Sequence, residues 1–595
     1  MPGFRYIYIY KLIMNKVSNV IAKFLKKNNI RNVFAITGGA IIHLIHSISS
    51  TKGMKCVFNN HEQAGAMGAD GLSRFKSSPS CAIATSGPGA TNLITGLCCS
   101  WFDSIPVLYI TGQVTTSRLK KNIKIRQFGF QETEIISIVD SITKYAKQVR
   151  DPYKVLYELE KALHFAKSGR PGPVLIDVPD DIQRMEIDEK KIIRFKIPKI
   201  TKKRIKNTLN LTKLIQNSKR PTIVFGSGAY KYAKHKELLK FVNKIQIPFL
   251  TTWGAKSLLN QHKLNFGTFG THGTRSGNFC IQNSDLLIVI GSRLSTRETG
   301  SPIKFFARDA KIILVDIDIN EIKKFKKIKK KIFSFFNNDS IDFINQFLKD
   351  AKKIKFLPKK NWLSFNKKCK ETFKRKFNNS KSIDPYYFVK KLNDFSLPAS
   401  DLFVDTGSCV AWIMQDFKCS KNQRIFHDLN FTAMGWALPA SIGASTENKR
   451  KNILCVVGDG SLMNNLQEMS LINKFCKNFK LFIINNKGYA MVQQTEDEWL
   501  KGNHYGTSNK DLIFPNFELI SKANNLNYSA IKSTNELRNI KKILNSKRNH
   551  VCEIFISPSK QVVPQVKFGY PIEDSHPLLD ENIIKDYMII KTIKR

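Results

Sequence analysis

Apolar residues recur along this chain in two rhythms. Val17, Val20, Ile21, Phe24 and Leu25 share one face at helical spacing and predict a helix over 17–27. Elsewhere, short continuous apolar runs read as parallel strands buried on both faces: 33–36, 82–85, 175–178, 222–225, 286–290, 312–315, 402–404, 453–457 and 481–484. A helix-like stretch at 466–475 separates the last two. Strands alternating with helices predict an α/β chain, read as three doubly wound parallel-sheet domains over 14–185, 200–350 and 365–565. The basic stretches 186–206 and 352–381 read as the linkers between them. Beyond 565 no chemistry is recognisable.

The strand ends carry the polar residues. Thr37-Gly38-Gly39-Ala40, Ser86-Gly87-Pro88-Gly89, Gly226-Ser227-Gly228, Gly291-Ser292-Arg293, Asp316-Ile317-Asp318 and Asp405-Thr406-Gly407-Ser408 each follow a predicted strand. The most telling is Gly458-Asp459-Gly460-Ser461, whose second glycine is followed by 24 residues (461–484) and then Asn485-Asn486. A lone Gly-Asp-Gly is most simply a turn. Here it closes one strand of a strand–helix–strand unit and the asparagines close the other, which is where open α/β sheets bind ligands. Gly458 and Gly460 let a diphosphate approach the backbone, and Asp459 and Asn486 offer hard oxygens suited to Mg²⁺.

Composition narrows the partners. The 595 residues exceed one core, and 42% hydrophobic with 24% charged residues fits a soluble globular protein. The formal charge of +49 would suit a nucleic-acid binder, but the lysines are spread through every segment. That spread points to compositional drift, and neither nucleic acid nor membrane is expected as a partner. Eleven cysteines without a C-x-x-C predict free thiols in a reducing, cytoplasmic compartment. No apolar run approaches the roughly 18 residues of a membrane span. Residues 1–13 are too short and aromatic for a signal peptide, so either Met1 or Met14 serves as the start.

The glycine–asparagine spacing resembles the signature of thiamine diphosphate enzymes, and over 17–558 the chain resembles the acetolactate synthase group. The resemblance implies thiamine diphosphate and Mg²⁺ as cofactors, with Gly458, Asp459, Gly460, Ser461 and Thr406 at the diphosphate. It implies Asp459, Asn486 and the Gly488 carbonyl at the metal, and Thr432 and Met434 gripping and wedging the pyrimidine. In the first domain it implies cofactor contacts at Gly39 and Asn92, and a substrate-facing Gln131 in Phe130-Gln131-Glu132-Thr133. Glu62, in His61-Glu62-Gln63, matches the activating glutamate. Its carboxyl group favours the imino tautomer of the cofactor's aminopyrimidine, whose nitrogen takes the C2 proton, and burial there would raise its pKa. Arg170, Gly226, Gly228, Gly273, Arg293 and Asp316 fall where flavin contacts lie, so the central domain either holds FAD or merely joins the other two.

The implied reaction is decarboxylation of a 2-oxoacid, pyruvate, and its ligation to a second carbonyl, giving 2-acetolactate for branched-chain amino acids. The smallest active unit implied is a homodimer, with a tetramer and a small regulatory subunit left open. Two departures motivate an alternative acceptor, a keto-sugar or other carbonyl. Asp180 stands where the family has lysine, and Thr495 where it has a pocket-lining tryptophan. The stretches 283–286 and 308–318 likewise resemble acetolactate-synthase-like proteins encoded with surface-polysaccharide genes.

Overall fold

The computed structural model describes residues 14–198, 205, 208–230, 235–327, 332–377, 381–420, 422–447 and 452–593. The alternative starts therefore lie partly outside the described residues, since 1–13 are not among them. Three six-stranded sheets, each wholly parallel, form the cores of three domains. The apolar runs sit where expected: Asn32–Ala35, Ser80–Ala84, Pro221–Phe225, Leu286–Ile290, Asp401–Val404 and Ile453–Gly458 are strands buried along most of their length. The first predicted helix spans Val17–Lys27 and buries Val17, Val20, Ile21, Phe24 and Leu25.

The first and third sheets share one strand order. Counting strands along each domain, it is 2-1-3-4-6-5; the central sheet runs 3-2-1-4-5-6. Connections reverse direction beside the first strand of each sheet, and the crevice outside the carboxyl ends there is the ligand site of such folds. In the third domain that crevice lies between Asp401–Val404 and Ile453–Gly458. In the central one it lies between Pro221–Phe225 and Leu286–Ile290. All the glycine-rich turns noted above are therefore at the ligand-facing edges.

The first and third domains share a core. Helix Glu62–Lys76 lies against helix Ala437–Ser445, and both are rich in small residues. A Cβ on Gly443 would overlap the Gly68 carbonyl, and one on Gly71 would overlap the Ala440 backbone. Only glycine permits this approach.

Three stretches differ from the sequence expectation. Residues Glu186–Asp188, read as linker, form a strand antiparallel to Met14–Lys16. The helix expected over 466–475 is a 3-10 turn, Leu466–Leu471, running into Ile472–Phe475, because Glu468 and Asn465 are turned into the domain seam. The end of the chain returns to the central domain. Val566 N donates to Thr271 O (2.8 Å), Asn278 Nδ2 to Ile572 O (2.7 Å) and Asn283 Nδ2 to Tyr587 O (2.8 Å). Arg308 pairs with Glu573 at 2.7 Å. The buried amides Asn278 and Asn283, on or beside helix Arg275–Gln282, need exactly such carbonyl partners, which sequence periodicity does not disclose.

Candidate active site

Asp459 begins a short helix at the carboxyl end of Ile453–Gly458 and is 1% exposed. Its Oδ1 accepts from Gly460 N (2.8 Å) and its Oδ2 from Lys487 N (2.7 Å). Burial pushes its carboxyl up to about 7. No side-chain cation pairs with it among the described residues. The Asn486 amide stands 3.2 Å from Asp459 Oδ1 and 2.8 Å from the Gly488 carbonyl oxygen. With its nitrogen turned inward, it donates to both. With its oxygen inward, both separations match those of neighbouring Mg²⁺ ligands, which at about 2.1 Å from the metal lie roughly 3 Å apart. The donor set fits a hard divalent cation.

The neighbouring turn fits an anion. Gly407 has φ +93° and opens helix Ser408–Asp416, whose first hydroxyl, Ser408 Oγ, is buried without a partner. A Cβ on either Gly407 or Gly458 would meet nothing, so both turns border open space. A helix N-terminus, an unsatisfied hydroxyl and a buried carboxylate able to hold Mg²⁺ suit a metal-bound diphosphate.

The segment after Asp428 is held from below. Asp405, fully buried, accepts from Thr406 N (2.9 Å), Gly435 N (3.1 Å) and Ala437 N (2.7 Å). Asp428 accepts from Ala433 N at 2.8 Å. The Asp103 carboxylate, from the first domain, accepts from Leu429 N and Asn430 N and is itself bound by Arg74 at 2.6 Å. Between these anchors Thr432 takes φ +58° and Met434 stays partly exposed. Sequence alone shows none of these clamps: Asp405 stands there only as part of a diphosphate turn, and nothing marks Asp428 or Asp103.

In the first domain Glu62 opens helix Glu62–Lys76 and remains half-buried. Asn92 Nδ2 donates to its Oε2 (2.9 Å), and a Cβ on Gly89 would come within 3.3 Å of its Oε1. Gln131, at φ +63°, packs on Gly87 of the same turn. Gly39 borders open space at the adjacent strand end. These four positions are brought to one sheet edge. Asp180 faces His43 (3.8 Å) and Arg184 (3.6 Å), so its charge is partly offset. Thr495 is exposed on helix Ala490–Trp499 and its hydroxyl donates back to Met491 O, so no pocket closes around it within one chain.

Comparison with known proteins gives one answer along the whole length. Residues 15–138 match the model "Thiamine pyrophosphate enzyme, N-terminal TPP binding domain", 209–338 the central domain and 405–554 the C-terminal TPP binding domain. The chain is 31% identical over 577 residues to acetolactate synthase 2, chloroplastic, of Nicotiana tabacum, covering 94% of this chain and 85% of that one. It is 30% identical over 572 residues to a probable acetolactate synthase large subunit of Methanocaldococcus jannaschii (93% and 94% covered). To the acetolactate synthase large subunit of Lactococcus lactis it is 28% identical over 562 residues (93% and 94%). The chain belongs to the acetolactate synthase family of thiamine diphosphate enzymes.

In this family member a cavity also lies where the central domain meets the other two. Its interior holds about 290 Å³ and opens to solvent through a wide mouth. Gly228, Arg293, Asp316 and Arg170 line it; Gly226 lies under Gly291, and Gly273 is one residue from the lining His272. Arg170 reaches Asp318 (3.1 Å) and Glu321 (2.8 Å), and Arg293 Nη2 reaches Asn430 Oδ1 (2.6 Å). Arginines for a diphosphate and the Asp316 carboxylate at a strand end for a ribose make a donor set that fits a dinucleotide.

Proposed function

We propose that this protein decarboxylates pyruvate and joins the remaining two-carbon unit to a second pyruvate, forming 2-acetolactate for branched-chain amino acid synthesis. The family assignment supports the reaction class; the Asp459, Asn486 and Gly488 oxygens beside a glycine turn with an unpartnered buried Ser408 hydroxyl are the observation that carries it to this chain. Thiamine diphosphate, when bound, supplies the electron sink for loss of CO₂. Asp459, Asn486 and the Gly488 carbonyl would hold Mg²⁺, while Ser408 and the Thr406 and Gly458 turns would cradle the diphosphate. Thr432 and Met434 would face the pyrimidine, on a loop kept in place by Asp405 and Asp428. Glu62, oriented by Asn92, is the group that would exchange a proton with the pyrimidine ring, and Gln131 beside it would face substrate.

Glu62 bonds to Asn92 of its own domain and to nothing in the third domain among the described residues. Large apolar residues stand exposed near both sheet edges, with Phe130 at 82% and Tyr505 at 78%. We infer that a second copy completes the site, making a homodimer the smallest active unit. FAD is proposed for the central cavity. Eleven free cysteines support a reducing compartment, the cytoplasm. Among the described residues no helix is long and apolar enough to cross a membrane.

The deciding experiment gives the purified protein thiamine diphosphate, Mg²⁺, FAD and pyruvate, and identifies products. Acetolactate is expected. CO₂ without acetolactate would move the acceptor to another carbonyl, and no turnover of pyruvate would remove it as donor. Glu62→Gln should keep the fold and lose about 10²–10⁴-fold in turnover; near-full turnover would refute its role.

A further inference from the structure

The 3-10 turn Leu466–Leu471 of the third domain carries Glu468, whose side chain is wholly buried. Its Oε2 accepts from Asn59 Nδ2 (3.0 Å) and its Oε1 from Asn60 N (2.9 Å), with the His61 backbone amide as a further donor. No cation pairs with it among the described residues. Asn60 Nδ2 adds bonds to Gln467 O and Ser470 Oγ, both 3.0 Å. All these donors lie in the three residues immediately before Glu62. Asn59 in turn lies against the first turn of that helix, its Oδ1 within 3.3 Å of a Cβ placed on Gly65.

Burying an unpaired carboxylate is costly, and three converging N–H donors are what makes it tolerable. A glutamine of equal size would accept from one side only and set its own NH₂ against a donor on the other. An acceptor-only group is therefore matched to this strand-to-helix turn. The turn is anchored to the opposite domain rather than to its own sheet alone.

We propose that Glu468 is a positioning residue for Glu62, fixing its backbone from the third domain while Asn92 fixes its side chain from the first. This rests on the catalytic reading of Glu62, and the test separates the two. The full-length holoenzyme, loaded with thiamine diphosphate and Mg²⁺, is mixed into deuterated buffer and quenched in acid. Exchange of the cofactor's C2 proton is then followed by NMR. Glu468→Gln should slow exchange on the order of ten- to a hundredfold with unchanged affinity for thiamine diphosphate, a split that a merely structural role would not produce. Asn59→Ala, which removes one of three donors, should slow it less, and the double variant should be no slower than Glu468→Gln. Wild-type exchange in folded, loaded Glu468→Gln overturns the proposal. Should that variant not fold, wild-type exchange in Asn59→Ala overturns it instead. Glu62→Gln must abolish exchange; if it does not, the catalytic reading falls. Loss in Glu62→Gln with no effect in the other variants removes only the positioning role.

Discussion

Asp405→Asn tests the grip on the pyrimidine with almost no change of shape. The carboxylate accepts three backbone N–H groups, Thr406 and Gly435 on Oδ1 and Ala437 on Oδ2, and Trp436 lies between the latter two. An asparagine can keep its oxygen at Oδ1. Its NH₂ then faces the Ala437 N–H at a position now 2.7 Å away. One charge-assisted hydrogen bond, about 1.5–3 kcal/mol, is lost and two buried donors oppose each other at about 1–3 kcal/mol. Part is returned, because a desolvated charge is deleted. A net of about 2 kcal/mol falls on the Thr432–Ala437 loop and should weaken thiamine diphosphate binding about thirtyfold. Calorimetric titration at saturating Mg²⁺ reads this directly. Burial holds Asp405 up at about 6, above its unfolded range near 3.8, so wild-type cofactor affinity should fall as pH drops through about 6. Folding stability should move the other way through this group, since the native state then binds the extra proton. The part of this pH dependence that Asp405 contributes should vanish in Asp405→Asn, leaving only that of Asp459 near 7. Wild-type affinity in the variant would refute the clamp.

Gly443→Ala drives a methyl group into the Gly68 carbonyl, and the helices Glu62–Lys76 and Ala437–Ser445 must part. A loss of about 1–3 kcal/mol in thermal stability is expected, with reduced turnover; an unchanged melting temperature would mean that the seam yields. His427, 3% exposed, is held neutral by burial, its pKa down at about 3, with the Arg297 charge acting the same way. Its stabilising contribution is present above about 6.5 and lost as pH falls towards 3, on the order of 5 kcal/mol. His427→Leu should flatten the decline of the melting temperature across that window. After incubation with FAD and desalting, the protein should retain flavin absorbance and Arg293→Ala less of it. A colourless wild type would remove the flavin reading.

The strands and ligand-bearing turns were legible because parallel strands buried on both faces write themselves as continuous apolar runs. The spacing from Gly460 to Asn485 placed two strand ends together, and the Asp459–Asn486 contact follows from that. What stayed hidden is non-local and polar. Asp103, Asp428 and Glu468 look like surface acids in sequence; Asp103 and Glu468 are buried against N–H groups hundreds of residues away, and Asp428 against the Arg74 guanidinium as well as its near neighbour Ala433 N. The return of 565–593 to the central domain was hidden for the same reason: its carbonyl anchors carry no sequence signal, and its buried Val566, Ile572, Ile584, Tyr587, Met588 and Ile590 do not by themselves say which domain they pack on. Thr495 shows the opposite limit, since its hydroxyl, expected in a pocket, lies exposed on helix Ala490–Trp499.

The seam between the first and third domains fixes both functional loops at once, and it does so reciprocally. Asp103, at the end of a first-domain helix, holds Leu429 and Asn430, just ahead of the loop bearing Met434. Glu468, in the third domain, holds Asn59 and Asn60, just ahead of Glu62. Each domain's candidate loop is thus bound at its entrance by a carboxylate of the other, across helices whose glycines and alanines bring the backbones close enough for such bonds to span the gap. Carboxylates suit this task because loop entrances present N–H groups, which only acceptors can satisfy. In a chain of formal charge +49, with 47 acidic residues against 96 basic ones, Asp70, Asp103, Asp405, Asp428, Asp459 and Glu468 all have their side chains buried at or beside this seam. The basic drift lies mainly at the surface, and the seam is held by buried acids.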